Sequence, residues 1–182
     1  MNTVKNFKLK IADWILRKKF KSVRRHKAVY NFDSAQTVGV LFSADDEKLF
    51  DVTNEFLHFL SQKKLKIFAL GYIDQKEIPK EYLMNSKINF ISKKDLSFFL
   101  KPRSHIAEQF IARDFDLLFD LSDDQHFPMK YINNLSLAHF KVGKDPAGGK
   151  DYDFMIHVGE NKDPYFYLEQ IKEYIGKINK EK

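Results

Sequence analysis

Apolar residues in this chain occur in two patterns, as short continuous runs and at helical spacing. Val38 to Phe42 is a continuous run, as expected of a strand buried on both faces. Acids follow it, and apolar residues then recur at helical spacing from Leu49 to Leu60. A second run at 66–72 completes one strand–helix–strand unit within about 35 residues, which predicts two parallel strands.

The same alternation continues to the end of the chain. The polar stretch 74–87, which contains Pro79, is interpreted as a loop, and Ser43 is the expected N-cap of the first helix of the body. Further strands are predicted at 88–91, 115–122, 140–143 and 152–158. One helix is predicted to begin at Ser104 and a second near Pro128, and a last amphipathic helix carries the apolar residues from Tyr167 to Ile178. This order predicts a three-layer, Rossmann-like α/β sandwich with a mostly parallel sheet of about five or six strands.

A separate pattern precedes this body. On a helical wheel, five apolar residues fall within an arc of about 100°, which predicts an amphipathic helix over residues 3–20. These residues are Val4, Phe7, Ile11, Trp14 and Ile15. We therefore divide the chain into a basic leader at 1–30 and an α/β domain at 31–182.

The leader also carries the charge asymmetry of the chain. Its first 27 residues hold ten Lys or Arg and one acid, a net charge of +9, while the remainder has a net charge of −3. Such a split predicts an anionic partner for the leader. The cations expected to contact this partner are Lys8, Lys10, Arg17, Lys18, Lys19, Lys21, Arg24 and Arg25.

Three interpretations of the leader remain open from the residues alone. Its apolar stripe, with Phe7, Ile11, Trp14 and Ile15, could pack on the body of the chain, on a protein partner or on a second copy. Its cations could bind structured RNA such as a ribosome. It could instead lie on an anionic membrane surface, with Phe7 and Trp14 among the headgroups. The apolar runs are too short for a signal peptide or a membrane span, which predicts a cytoplasmic protein, at most peripheral at the inner membrane.

Polar residues after the first and fourth predicted strands form a candidate ligand cleft. Parallel sheets bind ligands beyond the carboxyl ends of their strands, and both groups belong to that edge. They could hold a metal or a sugar hydroxyl, or they could cap helices and fill turns. The candidate residues are Ser43, Asp45, Asp46, Ser122, Asp123 and His126.

Motifs that would indicate a particular chemistry are absent from the sequence. There is no cysteine, no glycine-rich dinucleotide or triphosphate loop, and no His-Glu-x-x-His zinc motif. Gly148-Gly149-Lys150 could bind an anion or serve as a flexible connection. We therefore expect no cofactor, no metal and no catalytic residue, with His126 the single candidate acid or base.

Three strings carry a resemblance to known proteins: 38–42, 115–122 and 135–143. Together they resemble an uncharacterised family of small proteins from Bacteroidota, over most of residues 30–180. This resemblance implies a Rossmann-like domain and a cytoplasmic setting, and it brings no established activity. The chain is also similar, more loosely, to the N-terminal half of heptosyltransferase-like glycosyltransferases. Those enzymes bind their nucleotide sugar mainly in a C-terminal half, and we expect no such half in this chain.

Two functions follow as hypotheses. The first is a non-enzymatic binding protein whose leader contacts RNA, a ribosome or an anionic membrane surface. The alternative is a glycosyltransferase-like enzyme, or an enzyme remnant, that binds a nucleotide sugar or another phosphorylated small molecule in the candidate cleft.

Overall fold

A computed structural model describes residues 2–84, 86–122, 126–145 and 151–178. The strands in these ranges are β1 (Thr37–Ser43), β2 (Lys66–Ile73), β3 (Ile88–Ser92), β4 (Leu117–Asp120), β5 (Phe140–Lys144) and β6 (Phe154–Ile156). The α-helices are α1 (Asn2–Phe20), α2 (Glu47–Gln62), α3 (Lys80–Leu83), α4 (His105–Ala112), α5 (Phe127–Leu135) and α6 (Pro164–Lys177).

The strands of the described residues form one sheet in the order β3-β2-β1-β4-β5-β6, and every neighbouring pair is parallel. The predicted α/β fold with a parallel sheet is therefore confirmed. The chain runs outward from β1 to β3 and then returns to place β4 beside β1. The point where the direction of winding reverses lies between these two central strands, and it is where sheets of this kind bind ligands.

Two hydrophobic cores cover the two faces of the sheet. One core joins the strands to α2 and α6, with Phe56 and Leu168 fully buried at its centre. The other joins the strands to α4 and α5, with Phe110 and Ile132 among its residues. A third, smaller cluster packs α1 on the outer side of α5. The leader helix is thus an additional layer on one side of the sandwich.

Four local predictions were wrong. Ser43 belongs to β1, where it pairs with Tyr72, and the N-cap of α2 is Asp46 instead. The region predicted as a loop at 74–87 contains the short helix α3. The β4 and β6 strands are shorter than predicted. At β6, Tyr152 and Asp153 instead make side-chain bonds, to Asp120 and Arg25 respectively.

Candidate functional site

Two of the predicted cleft residues meet across the reversal point of the sheet. His126 precedes α5 and Asp45 follows β1. The His126 Nε2 atom lies 3.6 Å from the Asp45 Oδ2 atom. The two side chains keep 24% and 28% of their surface exposed, so a ligand could reach both. Asp45 is also anchored, because the backbone N–H of Asp74 donates to both of its carboxylate oxygens at 2.9 Å.

A tyrosine and a carboxylate beside this pair were missed by the sequence reading. The Tyr72 hydroxyl donates to Asp74 at 2.7 Å, and the Tyr72 ring lies 5.2 Å from the His126 ring. Burial raises the pKa of Tyr72 well above its ordinary value, and Asp74 raises it further. The Tyr72 hydroxyl therefore stays protonated and acts here as a donor. Because Tyr72 ends the apolar run 66–72, the sequence indicated only a core residue at this position.

Asp74 is held in its charged form. Burial favours the neutral carboxyl, but hydrogen bonds from Lys93 and Tyr72 outweigh it and lower the pKa of Asp74. The Lys93 ammonium lies 2.9 Å from the second carboxylate oxygen. Because Asp74 follows β2, this group extends the candidate cleft along the carboxyl edge of the sheet.

The other described cleft candidates serve local structure. The Asp46 carboxylate accepts from the backbone N–H of Leu49 at 3.1 Å and so caps α2. Ser43 is buried and donates to Asp45 at 3.4 Å. Ser122 is buried and bonds Asp120 through both its backbone N–H and its hydroxyl. Asp123 lies outside the described residues, as does the segment 148–150.

Asp120, at the end of β4, is a buried carboxylate that the sequence reading left uninterpreted. It is 4% exposed, and the Tyr152 hydroxyl donates to it at 2.8 Å. The Tyr167 hydroxyl donates to its backbone carbonyl at 3.1 Å. Hydrogen bonds from α6 and from the loop before β6 therefore fix the end of β4. The sequence feature that could have indicated this role is the presence of an acid inside an otherwise apolar strand.

The helix α1 packs on α5 through a face that the sequence reading did not select. Ala12 and Leu16 are buried against Phe127 and Tyr131. The Lys19 ammonium donates to the Tyr131 hydroxyl at 3.1 Å, at one end of this contact. An ion pair between Asp13 and Lys130, at 3.2 Å, adds a polar contact at its edge.

The predicted apolar stripe points largely away from the body. Phe7 is 64% exposed and Trp14 is 63% exposed, while Ile11 and Ile15 are half-buried at the edge of the packed face. Of the three interpretations left open for this stripe, packing on the body therefore does not apply to its two aromatic residues. On the helix, the stripe lies roughly opposite Leu16.

The predicted anion-binding cations divide into two groups. Lys10, Arg17, Lys18 and Lys21 are exposed, and none of them makes an ion pair with an acid of the described residues. The others have protein partners. The Lys8 ammonium lies over the Phe98 ring, Lys19 bonds Tyr131, Arg24 donates to backbone carbonyls, and Arg25 binds Asp153. The first group therefore forms the charged part of the outward surface of α1 and of Lys21, which follows it directly.

A tight turn adjoins this helix and presents two more aromatic residues. The Leu100 N–H donates to the Ser97 carbonyl at 2.9 Å, which places Phe98 and Phe99 at the two central positions of the turn. Phe98 is 68% exposed and Phe99 is 36% exposed. The Lys8 ammonium lies 3.9 Å from the centre of the Phe98 ring, so the turn and α1 form neighbouring parts of one surface.

No helix within the described residues is long and apolar enough to cross a membrane. Comparison of the sequence with curated proteins finds no match, and comparison with solved structures finds none either. The likeness to heptosyltransferase-like enzymes and the origin in Bacteroidota therefore stay hypotheses. One family model matches residues 8–178, which include most of α1 and the whole sheet. The chain belongs to this family, DUF6913, a family of unknown function.

Proposed function

We propose that this protein binds an anionic membrane surface reversibly, through the outward face of α1. The observation that carries the proposal is the exposure of Phe7 and Trp14 on a helix whose opposite side is already packed on the body. Aromatic residues flanked by cations on one side of a helix are typical of helices that lie in the headgroup layer. The surface expected for such binding is the cytoplasmic leaflet, which is rich in anionic lipids.

Surface shape favours a membrane over RNA. Proteins that bind single-stranded RNA line a groove with cations and aromatic residues, whereas α1 is a convex ridge. Double-stranded RNA is bound mainly through phosphates and 2′-hydroxyls, which gives exposed Phe and Trp no role. The exposed Phe98 and Phe99 beside α1 extend the apolar part of the surface, as a membrane contact requires.

The outward face also has a recess with the character of a lipid site. A shallow pocket of about 470 Å³ lies among Trp14, Phe20 and three cations. The cations are Arg17, Lys18 and Lys21. The Lys18 ammonium lies 5.6 Å from the centre of the Trp14 ring, so positive charge and aromatic surface are side by side. This arrangement suits a phosphate headgroup above the start of an acyl chain.

The expected binding is weak enough to be reversible. Each cation near an anionic membrane contributes about 1 kcal/mol, so Lys10, Arg17, Lys18 and Lys21 together supply about 4 kcal/mol. Insertion of Trp14 adds about 1.5 kcal/mol. Together these contributions correspond to a dissociation constant on the order of 0.1 mM. The electrostatic contribution weakens as the salt concentration rises.

The first test uses Trp14 as its own reporter, since it is the only tryptophan of the chain. The full-length protein is titrated with phosphatidylglycerol vesicles and, separately, with phosphatidylcholine vesicles. We expect a blue shift and a gain of Trp14 fluorescence with the anionic vesicles alone, reversed at high salt. A parallel titration with ribosomes and with structured RNA tests nucleic acid as the anionic partner.

Matched charge variants identify the face. The double variant Lys10→Gln with Arg17→Gln should weaken vesicle binding about 30-fold, because each lost cation costs about 1 kcal/mol. The control, Lys80→Gln with Lys162→Gln, has the same net charge. Lys80 is the first residue of α3 and Lys162 lies two residues before α6, both away from α1, so binding of this control should stay within about twofold of wild type.

Substitution is a sharper test than deletion of the leader. Removing α1 would uncover Phe127 and Tyr131, which are buried beneath it, and loss of binding could then reflect damage to the body. The proposal fails if anionic vesicles leave Trp14 fluorescence unchanged. It also fails if both double variants lose binding equally, or if ribosomes or RNA bind and vesicles do not.

A second candidate function is the binding of a nucleotide sugar at the carboxyl edge of the sheet. The contact between His126 and Asp45 across the reversal point favours it, since it joins the two loops where such ligands bind. A ligand at 100 times its dissociation constant should stabilise the fold by about 2.7 kcal/mol in a thermal-shift screen. The shift should disappear in His126→Gln. Absence of a shift with every nucleotide sugar, at millimolar concentration, would exclude this function.

A further inference from the structure

A second pocket, of about 410 Å³, lies between the segment that follows α1 and the start of β5. Cations dominate the side chains around it. The charged residues that line it are Lys21, Arg24, Arg25, Lys27, Lys141 and Asp151. Its volume is within the range of small-molecule sites.

The most unusual of these side chains is Lys141, which is 1% exposed. Its ammonium donates to the backbone carbonyls of Asn133 and Asn134, at the C-terminal end of α5. An ammonium has three hydrogens, and the third has no acceptor among the described residues. Burial lowers the pKa of Lys141 to about 7, and the Arg25 guanidinium contributes to this shift.

Two other cations of the pocket, Arg25 and Lys27, are held by the Asp153 carboxylate. Arg25 binds Asp153 at 2.6 Å and also donates to the carbonyls of Ala138 and His139, both at 3.0 Å. Lys27 lies 3.0 Å from the same carboxylate oxygen. Asp153 therefore compensates only part of their charge.

Positive charge therefore exceeds negative charge around this pocket. Lys21 and Arg24 are exposed at its rim, and Lys141 lies at its inner side. Among the described residues around it, five basic side chains face the two acids Asp151 and Asp153.

We propose that this pocket binds a phosphate group, either of a soluble phosphate or of a phospholipid headgroup. A phosphate group, dianionic in a soluble phosphate and monoanionic in a phospholipid diester, supplies negative charge that the pocket lacks, and its oxygens can accept from Lys21 and Arg24 at the rim. It can also accept the remaining hydrogen of the Lys141 ammonium. The inference does not rest on the membrane proposal. The two pockets share Phe20 and Lys21, but this one is formed mainly by Arg24, Arg25, Lys27 and Lys141, outside α1.

Binding should draw a proton onto Lys141. In the empty pocket at about pH 8 the amine is mostly neutral, because its pKa is about 7. An adjacent phosphate anion favours the ammonium and raises this pKa. Phosphate binding is therefore coupled to proton uptake, which a merely structural lysine would not show.

The test is isothermal titration calorimetry of the full-length protein at about pH 8, in two buffers of different ionisation enthalpy. The probes are inorganic phosphate, glycerol 3-phosphate and a short-chain phosphatidylglycerol below its micelle concentration. We expect binding with the uptake of up to one proton. Whether the soluble phosphates or the short-chain lipid bind more tightly assigns the source of the phosphate group.

Variants tie binding to the pocket. Lys21→Gln, at an exposed rim position, should weaken binding about tenfold without affecting folding. Lys141→Met should bind without proton uptake, while Lys162→Gln should behave as wild type. Absence of binding for all three probes at millimolar concentration overturns the proposal. So does binding that Lys21→Gln and Lys141→Met leave unchanged, or binding without proton uptake in the wild-type protein.

Discussion

At the scale of single residues, Gly143 shows how a local absence of side chain supports the end of the sheet. A Cβ at this position would lie 2.4 Å from the Tyr152 ring, too close for any real contact. The same ring carries the hydroxyl that bonds Asp120 at 2.8 Å. The glycine in β5 thus makes room for the tyrosine that holds the end of β4.

Gly143→Ala should therefore displace Tyr152 and destabilise the fold by about 1–3 kcal/mol, the usual cost of overpacking. Gly176→Ala, in α6, is the matched control because nothing lies within 4 Å of its added methyl group. Alanine there should stabilise the helix by about 0.5–1 kcal/mol. Urea unfolding of both variants measures the difference. Equal stabilities would contradict the role of the Tyr152 ring.

The buried Lys141 makes stability depend on pH. Its pKa is about 7 in the folded chain and 10.5 for a free lysine, so between these values the unfolded chain binds more protons. Stability of the wild-type protein should therefore rise with pH across this window, by up to about 1.4 kcal/mol per pH unit from this residue. Below about pH 7 the full cost of burying the charge is present.

The variant Lys141→Met removes the titrating amine, so comparing it with wild type measures the contribution of Lys141. Relative to wild type, the variant should be most stable below about pH 7 and should lose this advantage as the pH rises toward 10.5. Chemical denaturation of both proteins at about pH 6 and about pH 9 gives the difference. A difference that is the same at both pH values would show that the pKa of Lys141 is close to its ordinary value.

At the scale of elements, α1 has two apolar faces, of which the sequence analysis selected one. That stripe, with the bulky Phe7 and Trp14, was left open to packing on the body or to contact with a partner surface. The packed face instead uses Ala12 and Leu16, whose smaller side chains allow close approach to α5. The sequence of α1 alone contains no information on which surface α5 presents, so the choice between the faces depended on tertiary contacts.

Leu16→Ala tests which face holds the helix. Leu16 is 2% exposed, so its truncation should cost about 2–3 kcal/mol and should accelerate hydrogen exchange throughout α1. Phe7→Ala, on the outward face, should change stability by less than about 0.5 kcal/mol. A larger loss in Phe7→Ala than in Leu16→Ala would mean that α1 packs on α5 by the opposite face.

At the scale of the whole molecule, the sheet should be most stable at its centre. β1 lies between β2 and β4, and Val38, Val40 and Leu41 are fully buried there. β6 is a three-residue edge strand with one fully buried residue. Native-state hydrogen exchange should therefore be slowest in β1 and fastest in β6. Comparable protection of both strands would indicate that the sheet opens only as a unit.

The fold was more accessible to sequence reading than the candidate sites. Buried parallel strands and packed helices leave periodic patterns, as Val38 to Phe42 and α2 show. The sites depend on residues distant in sequence, such as His126 and Asp45 or Arg25 and Asp153. In the sequence, Lys141 looks like an ordinary polar residue of a strand. The sequence alone does not reveal that its side chain is directed at the C-terminal end of α5. Such contacts follow from topology, which single-residue patterns do not specify.

The packing of α1 on α5 has a consequence for the order of events during synthesis. Lys19 and its partner Tyr131 are separated by 112 positions, so α1 is made long before the surface that covers it. At a ribosomal rate of about 5–20 residues per second, that interval lasts on the order of 6–20 seconds. During it, both apolar faces of α1 and all its cations are accessible. The nascent chain should therefore associate with anionic surfaces more strongly than the finished protein, and folding of α5 against α1 should weaken that association.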